Sequence, residues 1–311
     1  MSLFNVSILF HIITNMIYKL RSWIDINKIS WYGLSANPYA IHLLEKNMDK
    51  INWYSLSSNP NAIHLISKNI NKINWCALSR NPNAIHILSK NMDKIDWYWL
   101  SFNINALYLL ENNIHKVNWY LLSKNPSAIH LLENHHNRID WCALSKNPNG
   151  IDILSKNMDK IKWDGLSLNP NAMDLLSKNN DKIYWNRLSE NPNALHLLEN
   201  NMDKIYWDGL SLNPNAIHLL ENNMDKINWS CLSHNSNAIH LLEKNVDKIH
   251  WYELSSNPSI FELDYQALEK RCNIFKEELI KKALHPSIIK RYINHPDLKD
   301  KDLDYILDNC F

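Results

Sequence analysis

Residues 207–228 read W-D-G-L-S-L-N-P-N-A-I-H-L-L-E-N-N-M-D-K-I-N, and this unit of 22 residues recurs along most of the chain. We number the positions of the unit from its tryptophan. Tryptophan occupies position 1 eleven times without a change of register, at residues 31, 53, 75, 97, 119, 141, 163, 185, 207, 229 and 251. A fixed period in this range is the signature of a solenoid, in which each unit buries its apolar face against its neighbours.

Each unit is expected to fold as two short helices. In the unit that starts at Trp53, Asn59-Pro60 is a strong helix start, because asparagine caps free N–H groups and proline at the first helical position has no N–H to leave unpaired. The segment W-x-x-L-S, with Asn52 as its cap, predicts a shorter first helix. The alternative is to read Ile51-Asn52-Trp53 as a strand in a strand-and-helix horseshoe, but three residues are few for a strand.

An open array exposes an apolar face at each end, which terminal units must cover. We therefore predict an all-α fold, an α/α solenoid of about eleven two-helix repeats with helical caps. Its expected parts are an N-terminal helical cap at residues 1–25, the repeat solenoid at residues 26–258 and a C-terminal helical cap at residues 259–311. A targeting role is the alternative for the apolar run at residues 3–18, although it lacks a basic leading region and a clear cleavage site.

Composition argues against several classes of function. The 33 Lys and Arg residues nearly balance 32 acidic ones, so the basic excess of a typical nucleic-acid-binding protein is absent. Five scattered cysteines predict free thiols and a reducing, intracellular setting. The four glycines lie far apart, and no HExxH, CxxC or nucleophilic serine motif occurs. We expect no enzyme activity, no cofactor and no metal site.

Three kinds of residue recur with the period. We predict that the tryptophans, and the methionines at 48, 92, 158, 202 and 224, pack in the core between units. Position 20 is Lys or Arg in every unit that reaches it, and we call these residues the lysine column. The column could bind along a phosphate backbone. The residue before it is usually Asp, however, which favours a solvated face with local ion pairs. Histidines recur at position 12 about 10 Å apart, too far to share a metal ion.

Comparing the units with one another separates the positions that the fold fixes from those that it leaves free. Positions 2, 3 and 6 vary from unit to unit. Apolar and aromatic side chains gather at these positions in the fourth and fifth units, and we predict a contact patch there. Its members are Tyr98, Trp99, Phe102, Tyr120 and Leu121. The alternative explanation is that these positions tolerate many residues and that their sequence has varied without a functional reason.

The unit at residues 213–229, together with the segment LEKRCNIFKEELIKKALHPSIIKRYI at residues 268–293, resembles repeat proteins of giant amoeba-infecting viruses of the mimivirus type. The likeness covers about residues 26–295. It implies a location in the host cytoplasm or the virion, and it brings no catalytic residue to carry over.

The combined expectation is a non-enzymatic repeat scaffold for protein–protein interaction, with a host protein as one candidate partner. We expect no membrane partner, and a monomer or weak self-association. Two alternatives stay open. One is a nucleic-acid-binding solenoid that uses the lysine column, which salt-sensitive binding would favour. The other is a virion structural component that assembles end to end, which an uncovered terminal face would favour.

Overall fold

The repeats fold as the period predicts. The computed structural model describes residues 16–283 and divides them into two units. One unit, Lys19–Glu262, contains the whole repeat array, and the second contains residues 16–18 and 263–283. Regular helix pairs that pack against their neighbours confirm the all-α solenoid.

Every repeat begins with a short α-helix whose first residue is the tryptophan at position 1. These first helices are Trp31–Ala36, Trp53–Ser57, Trp75–Arg80, Trp97–Leu100, Trp119–Lys124, Trp141–Ser145, Trp163–Leu168, Trp185–Leu188, Trp207–Leu212, Trp229–His234 and Trp251–Leu254. A second α-helix begins at position 11 in the first ten repeats. These second helices are Ile41–Glu45, Ile63–Lys68, Ile85–Ser89, Leu107–Glu111, Ile129–Asn134, Ile151–Ser155, Met173–Ser177, Leu195–Glu199, Ile217–Glu221 and Ile239–Lys244.

Single turns of 3-10 helix join these elements. Five of them follow the asparagine at position 7, and nine lead from a second helix towards the next repeat. They are Pro60–Ala62, Pro82–Ala84, Pro126–Ala128, Ser236–Ala238 and Pro258–Ile260, then Met48–Lys50, Met92–Lys94, Ile114–Lys116, His136–Arg138, Met158–Lys160, Asn180–Lys182, Met202–Lys204, Met224–Lys226 and Val246–Lys248. The Asn-Pro start therefore opens a 3-10 turn, and the α-helix proper follows it.

An asparagine or aspartate before the tryptophan caps the first helix. The side chain of Asn52 accepts one from the N–H of Ser55 at 2.9 Å, and Asp140 accepts one from the N–H of Ala143 at 2.8 Å. Lys162 makes no such bond, yet the helix after it begins at the same position. Packing between neighbouring repeats thus fixes the start of the first helix, and the cap only adds to it.

The asparagine at position 7 links successive repeats through buried hydrogen bonds. Asn59 is fully buried, and its Nδ2 donates to the carbonyl oxygens of Ser35 at 3.0 Å and Asn37 at 2.9 Å in the preceding repeat. Its Oδ1 accepts a hydrogen bond from the N–H of Asn61 at 3.0 Å, which is the local cap that the sequence predicts. Because the same bonds recur from repeat to repeat, the asparagines form a continuous ladder through the core.

The array closes on itself. In an internal junction the N–H of Asn52 donates to the hydroxyl of Ser35 at 2.9 Å. The N–H of Ser30, which holds the same position before the first repeat, donates to the hydroxyl of Ser255 in the last repeat at 2.8 Å. The asparagine ladder closes as well, since Asn37 donates to the carbonyl of Asn257 at 3.0 Å. The repeats of Lys19–Glu262 therefore form a ring rather than an open solenoid.

Both ends of the array contribute to the eleventh repeat. The chain reaches the first helix Trp251–Leu254 and the turn Pro258–Ile260, and then leaves the repeat pattern. At position 11, where a second helix would begin, strand β2 (Phe261–Leu263) forms instead and pairs with strand β1 (Tyr18–Leu20). The segment that follows β1 supplies the last positions of this repeat, because residues 26–30 match the end of the repeat unit.

This closure corrects the expectation of capped open ends. Within Lys19–Glu262 the first and last repeats cover each other, so neither needs a separate cap. Of the expected N-terminal helical cap, residues 16–25 contain a strand and no helix. Of the expected C-terminal cap, the helix Tyr265–Ala283 belongs to the second unit. Residues 1–15 and 284–311 lie outside the described residues.

The core differs from the predicted one in two residue columns. Its fully buried side chains are Leu at positions 4 and 14, Ser at position 5, Asn at position 7 and Ala at position 10 in most repeats. The tryptophans at position 1 are half-buried, as are Met48, Met92 and Met224, whereas Met158 and Met202 are exposed. The prediction of a core position was wrong for Met158 and Met202, which begin 3-10 turns, while the tryptophans are buried in part.

Candidate functional site

The first helices form the inner wall of the ring. Nearly all neighbouring first helices contact one another closely, whereas neighbouring second helices lie farther apart. In a closed ring the more closely spaced layer lies at the smaller radius. Eleven helix spacings of about 8–10 Å give a circumference of about 90–110 Å, and hence a radius of about 14–18 Å for the helix axes of this wall.

Positions 2, 3 and 6 are the ones that the inner wall presents. On a helical wheel they lie opposite positions 4 and 5, which point into the core. Position 2 is exposed in most repeats, while position 3 is mostly buried where neighbouring helices meet. Of the three variable positions, 2 and 6 therefore present side chains on the inner face in most repeats, and position 3 does so in only a few.

Most side chains of the predicted contact patch are accessible on neighbouring repeats. Tyr98, Phe102 and Tyr120 are 46%, 37% and 38% exposed, and Trp99 is half-buried beside Tyr98. Leu121 is only 5% exposed, so it adds almost no surface to this patch.

Aromatic rings and cations are interleaved within this patch. The rings of Tyr98 and Trp99 meet edge to face, with their centroids 5.1 Å apart and an angle of 87°. The Cζ of Arg80 lies 4.6 Å from the ring centroid of Trp99, and the Nζ of Lys124 lies 4.5 Å from that of Tyr120. Cation–π contacts of this kind hold the cations on the aromatic faces.

Ring closure extends the aromatic surface beyond the predicted patch. Tyr252 of the last repeat stacks on Tyr32 of the first, with centroids 6.3 Å apart and an angle of 11° between the rings. Tyr54 follows at the same position in the second repeat and is 50% exposed. These three tyrosines were not included in the patch. Their shared position 2 was the signal in the sequence, but only closure makes the first and last repeats neighbours.

The lysine column has a structural role at the tryptophans. In each of the ten internal repeats the Lys or Arg at position 20 lies over the tryptophan ring at position 1 of the same repeat, as Lys160 does over Trp141 with its Nζ 4.7 Å from the ring centroid. In the eleventh repeat Lys28 takes this place over Trp251 at 5.2 Å. The cations of this column already have aromatic partners.

Four histidines at position 12 make side-chain contacts with a glutamate of the preceding second helix. His130 Nε2 lies 2.7 Å from Glu111 Oε1, and His218 Nε2 lies 2.9 Å from Glu199 Oε1 in another junction. These side chains are about half-exposed. Exposed pairs of this kind contribute little to stability, so we read them as surface links between repeats.

Four of the five cysteines lie in the described part of the chain, and all four are free thiols, as predicted. A hydrogen bond to the carboxylate of Asp96, then burial and the negative charge itself, raises the pKa of the Cys76 thiol. Burial is the main cause that raises the pKa of Cys231, followed by the charges of Asp208, Glu190 and Glu253. Cys310 lies outside the described residues.

Residues 16–283 contain neither a candidate metal site nor a membrane-spanning helix. No three His, Cys, Asp or Glu side chains in this range converge as the ligands of a metal ion would. No helix in the same range has both the length and the hydropathy needed to cross a bilayer. Comparisons of the chain with family models, with curated proteins and with solved structures gave no match.

Proposed function

We propose that the ring is a non-enzymatic scaffold for protein–protein interaction, with its inner face as the contact surface. The observation that carries this proposal is the exposed aromatic surface at the variable positions, above all Tyr98, Phe102 and Tyr120. Aromatic residues are enriched at protein interfaces, where they contribute large apolar area at a small cost in side-chain entropy. The resemblance to giant-virus repeat proteins makes a host-cell protein the first partner to search for.

Two observations weigh against the alternatives. The chain has a net charge of only +1, without the basic excess of a typical nucleic-acid-binding protein, which disfavours tracking of a phosphate backbone. Assembly end to end requires free terminal faces, and the closed array Lys19–Glu262 covers both of them within the repeats. A scaffold that acts through its inner face is compatible with both observations.

Affinity capture from lysate of infected amoebae tests the proposal. The wild type is compared with a triple variant, Tyr98→Ala, Phe102→Ala and Tyr120→Ala. The matched control is Tyr184→Ala with Tyr206→Ala, because these tyrosines are 51% and 50% exposed in other repeats and belong to position 22. We expect the wild type and the control to capture the same protein and the triple variant to lose it. Capture of nucleic acid by all three, with release at high salt, would instead favour the lysine column.

A further inference from the structure

Basic and acidic side chains lie on different halves of the inner face. In repeats one to six the charged side chains at positions 2, 3 and 6 are all basic: Arg80, Lys124 and Lys146. In repeats seven to eleven they are mainly acidic: Asp164, Arg187, Glu190, Asp208 and Glu253. Counted over these three positions, the two halves of the wall carry opposite net charge; at position 22 the carboxylate of Asp96 also reaches Cys76 within the basic half.

The basic half is also the aromatic half. We define the aromatic–basic arc as Arg80, Tyr98, Trp99, Phe102, Tyr120 and Lys124. The cation–π contacts at Trp99 and Tyr120 place positive charge against flat apolar surface. A ligand on this arc would meet apolar area and positive charge within one stretch of wall. This combination fits a segment that carries both carboxylates and apolar side chains.

The acidic half behaves as one electrostatic region. Burial is the main cause that raises the pKa of the Cys231 thiol, and the charges of Asp208, Glu190 and Glu253, which come from three different repeats, add to it. Asp208 also accepts a hydrogen bond from Asn228 Nδ2 at 2.9 Å. Negative potential is thus concentrated on the part of the wall that faces away from the aromatic–basic arc around the ring.

We propose that the aromatic–basic arc binds an acidic polypeptide segment in extended form along the inner face. This inference rests on the proposed scaffold function and specifies the chemistry of its partner. The charge of the arc attracts the carboxylates, and the acidic half of the wall repels the segment from the opposite side. The partner is therefore held on one side of the ring.

A nucleic acid fits this wall less well than a polypeptide. It carries a phosphate at every nucleotide, and proteins that bind single strands line the whole path with positive charge. The arc offers two cations, Arg80 and Lys124, with Lys146 in the next repeat, and the far side of the ring is acidic. A polypeptide can place its carboxylates at the arc and uncharged residues elsewhere.

The test measures binding of defined probes to the full chain by fluorescence anisotropy. Three probes are compared. The first is a labelled peptide of about 12 residues, about 40 Å long when extended, in which Glu and Gly alternate and two positions carry Phe instead. The second is the same peptide with Lys in place of Glu, and the third is an oligothymidylate of similar length. We expect the acidic peptide to bind at least about tenfold more tightly than the basic one, a difference of about 1.4 kcal/mol.

Charge reversal in each half of the wall locates the site. We expect Arg80→Glu and Lys124→Glu, each made singly, to weaken binding of the acidic peptide and their combination to weaken it at least about tenfold, while Arg187→Glu, a single reversal at position 3 in the acidic half, leaves it within about twofold. Far-ultraviolet circular dichroism confirms that each variant is folded. A second variant, Phe102→Ala, tests the apolar part of the arc without a change of charge and is expected to weaken binding as well.

Three results would overturn the inference: equal binding of the acidic and basic peptides, equal losses in the arc and Arg187 variants, or preferential binding of the oligothymidylate. If no peptide binds but the lysate experiment still captures a protein through Tyr98, Phe102 and Tyr120, the scaffold stands and the acidic partner is wrong. If the lysate experiment captures nothing as well, the scaffold function fails with it.

Discussion

The ammonium nitrogen of Lys28 lies 5.2 Å from the ring centroid of Trp251, although the two residues belong to opposite ends of the repeat array. Ten internal repeats make the same contact between their own positions 20 and 1, for example Lys160 with Trp141 at 4.7 Å. The closing junction therefore reuses the chemistry of the internal ones. Closure can be tested by comparing the contribution of the closing junction to stability with that of an internal junction.

The serine at position 5 provides the first test. Ser255 accepts a hydrogen bond from the N–H of Ser30 at the closing junction, and Ser145 accepts the equivalent bond from the N–H of Lys162 at an internal one. Both hydroxyls also donate to the carbonyl of their own tryptophan. Replacing either serine by alanine leaves these backbone groups without a partner, at a cost of about 1–3 kcal/mol.

We expect Ser255→Ala and Ser145→Ala to lower the midpoint of urea unfolding by the same amount within error. An array that is open in solution would behave differently. There the N–H of Ser30 would already bond to water, and Ser255→Ala would have a clearly smaller effect than Ser145→Ala.

Glycine at position 3 provides a second test of closure. A Cβ added at Gly33 would lie 2.6 Å from the Cβ of Ser255 and 3.1 Å from the backbone of the last repeat. At Gly165 the nearest atoms are the Cγ of Lys146 at 3.1 Å, on a flexible side chain, and the Cβ of Ser145 at 3.2 Å. We expect Gly33→Ala to destabilise the protein by about 1–3 kcal/mol through overpacking.

Gly165→Ala serves as the matched control. Alanine already occupies position 3 in two other repeats, at Ala77 and Ala143, and it favours helix by up to about 1 kcal/mol over glycine. We therefore expect this variant to unfold at the same temperature as the wild type or a higher one. If Gly33→Ala were equally well tolerated in thermal unfolding, the first and last repeats would not be in contact.

The asparagine ladder predicts a large effect from a change of one atom. Asn125 is fully buried, and its Nδ2 donates to the carbonyls of Ser101 and Asn103, both at 3.1 Å. In Asn125→Asp the bond from the N–H of Ser127 can persist, but both donated bonds are lost and a carboxylate enters the core. We expect a loss of about 2–5 kcal/mol at neutral pH in chemical denaturation.

The control for this change is Asn134→Asp, the same substitution at an exposed position of the same repeat. It should shift stability by no more than about 0.5 kcal/mol, as surface substitutions usually do. Similar effects of the two variants would show that the ladder does not hold the repeats together.

The thiol of Cys76 predicts a dependence on pH. Its pKa is raised, first by a hydrogen bond to the carboxylate of Asp96, so less thiolate is present near pH 8 than for an ordinary cysteine. Asp96→Asn removes the charge, and asparagine is the cap used at this position in other repeats, such as Asn74. The pKa of Cys76 should therefore fall and the helix should stay capped.

We expect Cys76 to react faster with iodoacetamide in Asp96→Asn than in the wild type near pH 8, as measured by mass spectrometry of its peptide. The difference should shrink as the pH rises through the pKa of the wild-type thiol, because both forms are then thiolates. Equal rates at both pH values would remove Asp96 as the cause.

The local structure could be predicted from the sequence because local chemistry determines it. The period, the pair of helices and caps such as Asn52 follow from interactions within one repeat or between nearest neighbours. The burial of Trp53 could not be judged from spacing alone. The helical wheel places it beside Leu56, but as the first helical residue it lies at the edge of the packed layer.

Closure was the feature that local reasoning missed. It depends on a small rotation at each junction, which accumulates around the array and has no signature in any single repeat. One signal was available: residues 26–30 repeat the end of the unit, while the eleventh unit departs from the pattern after Ile260.

A closed array also fixes its own copy number. Eleven units share a full turn at about 33° each, whereas ten or twelve would require about 36° or 30° at every junction. An open solenoid gains or loses a unit by duplication or deletion and changes only in length. In this ring, one extra unit of 22 residues would shift the hydrogen bonds of every asparagine in the ladder, or it would break the closing hydrogen bond between Ser30 and Ser255. New specificity must therefore come from substitution within the existing units.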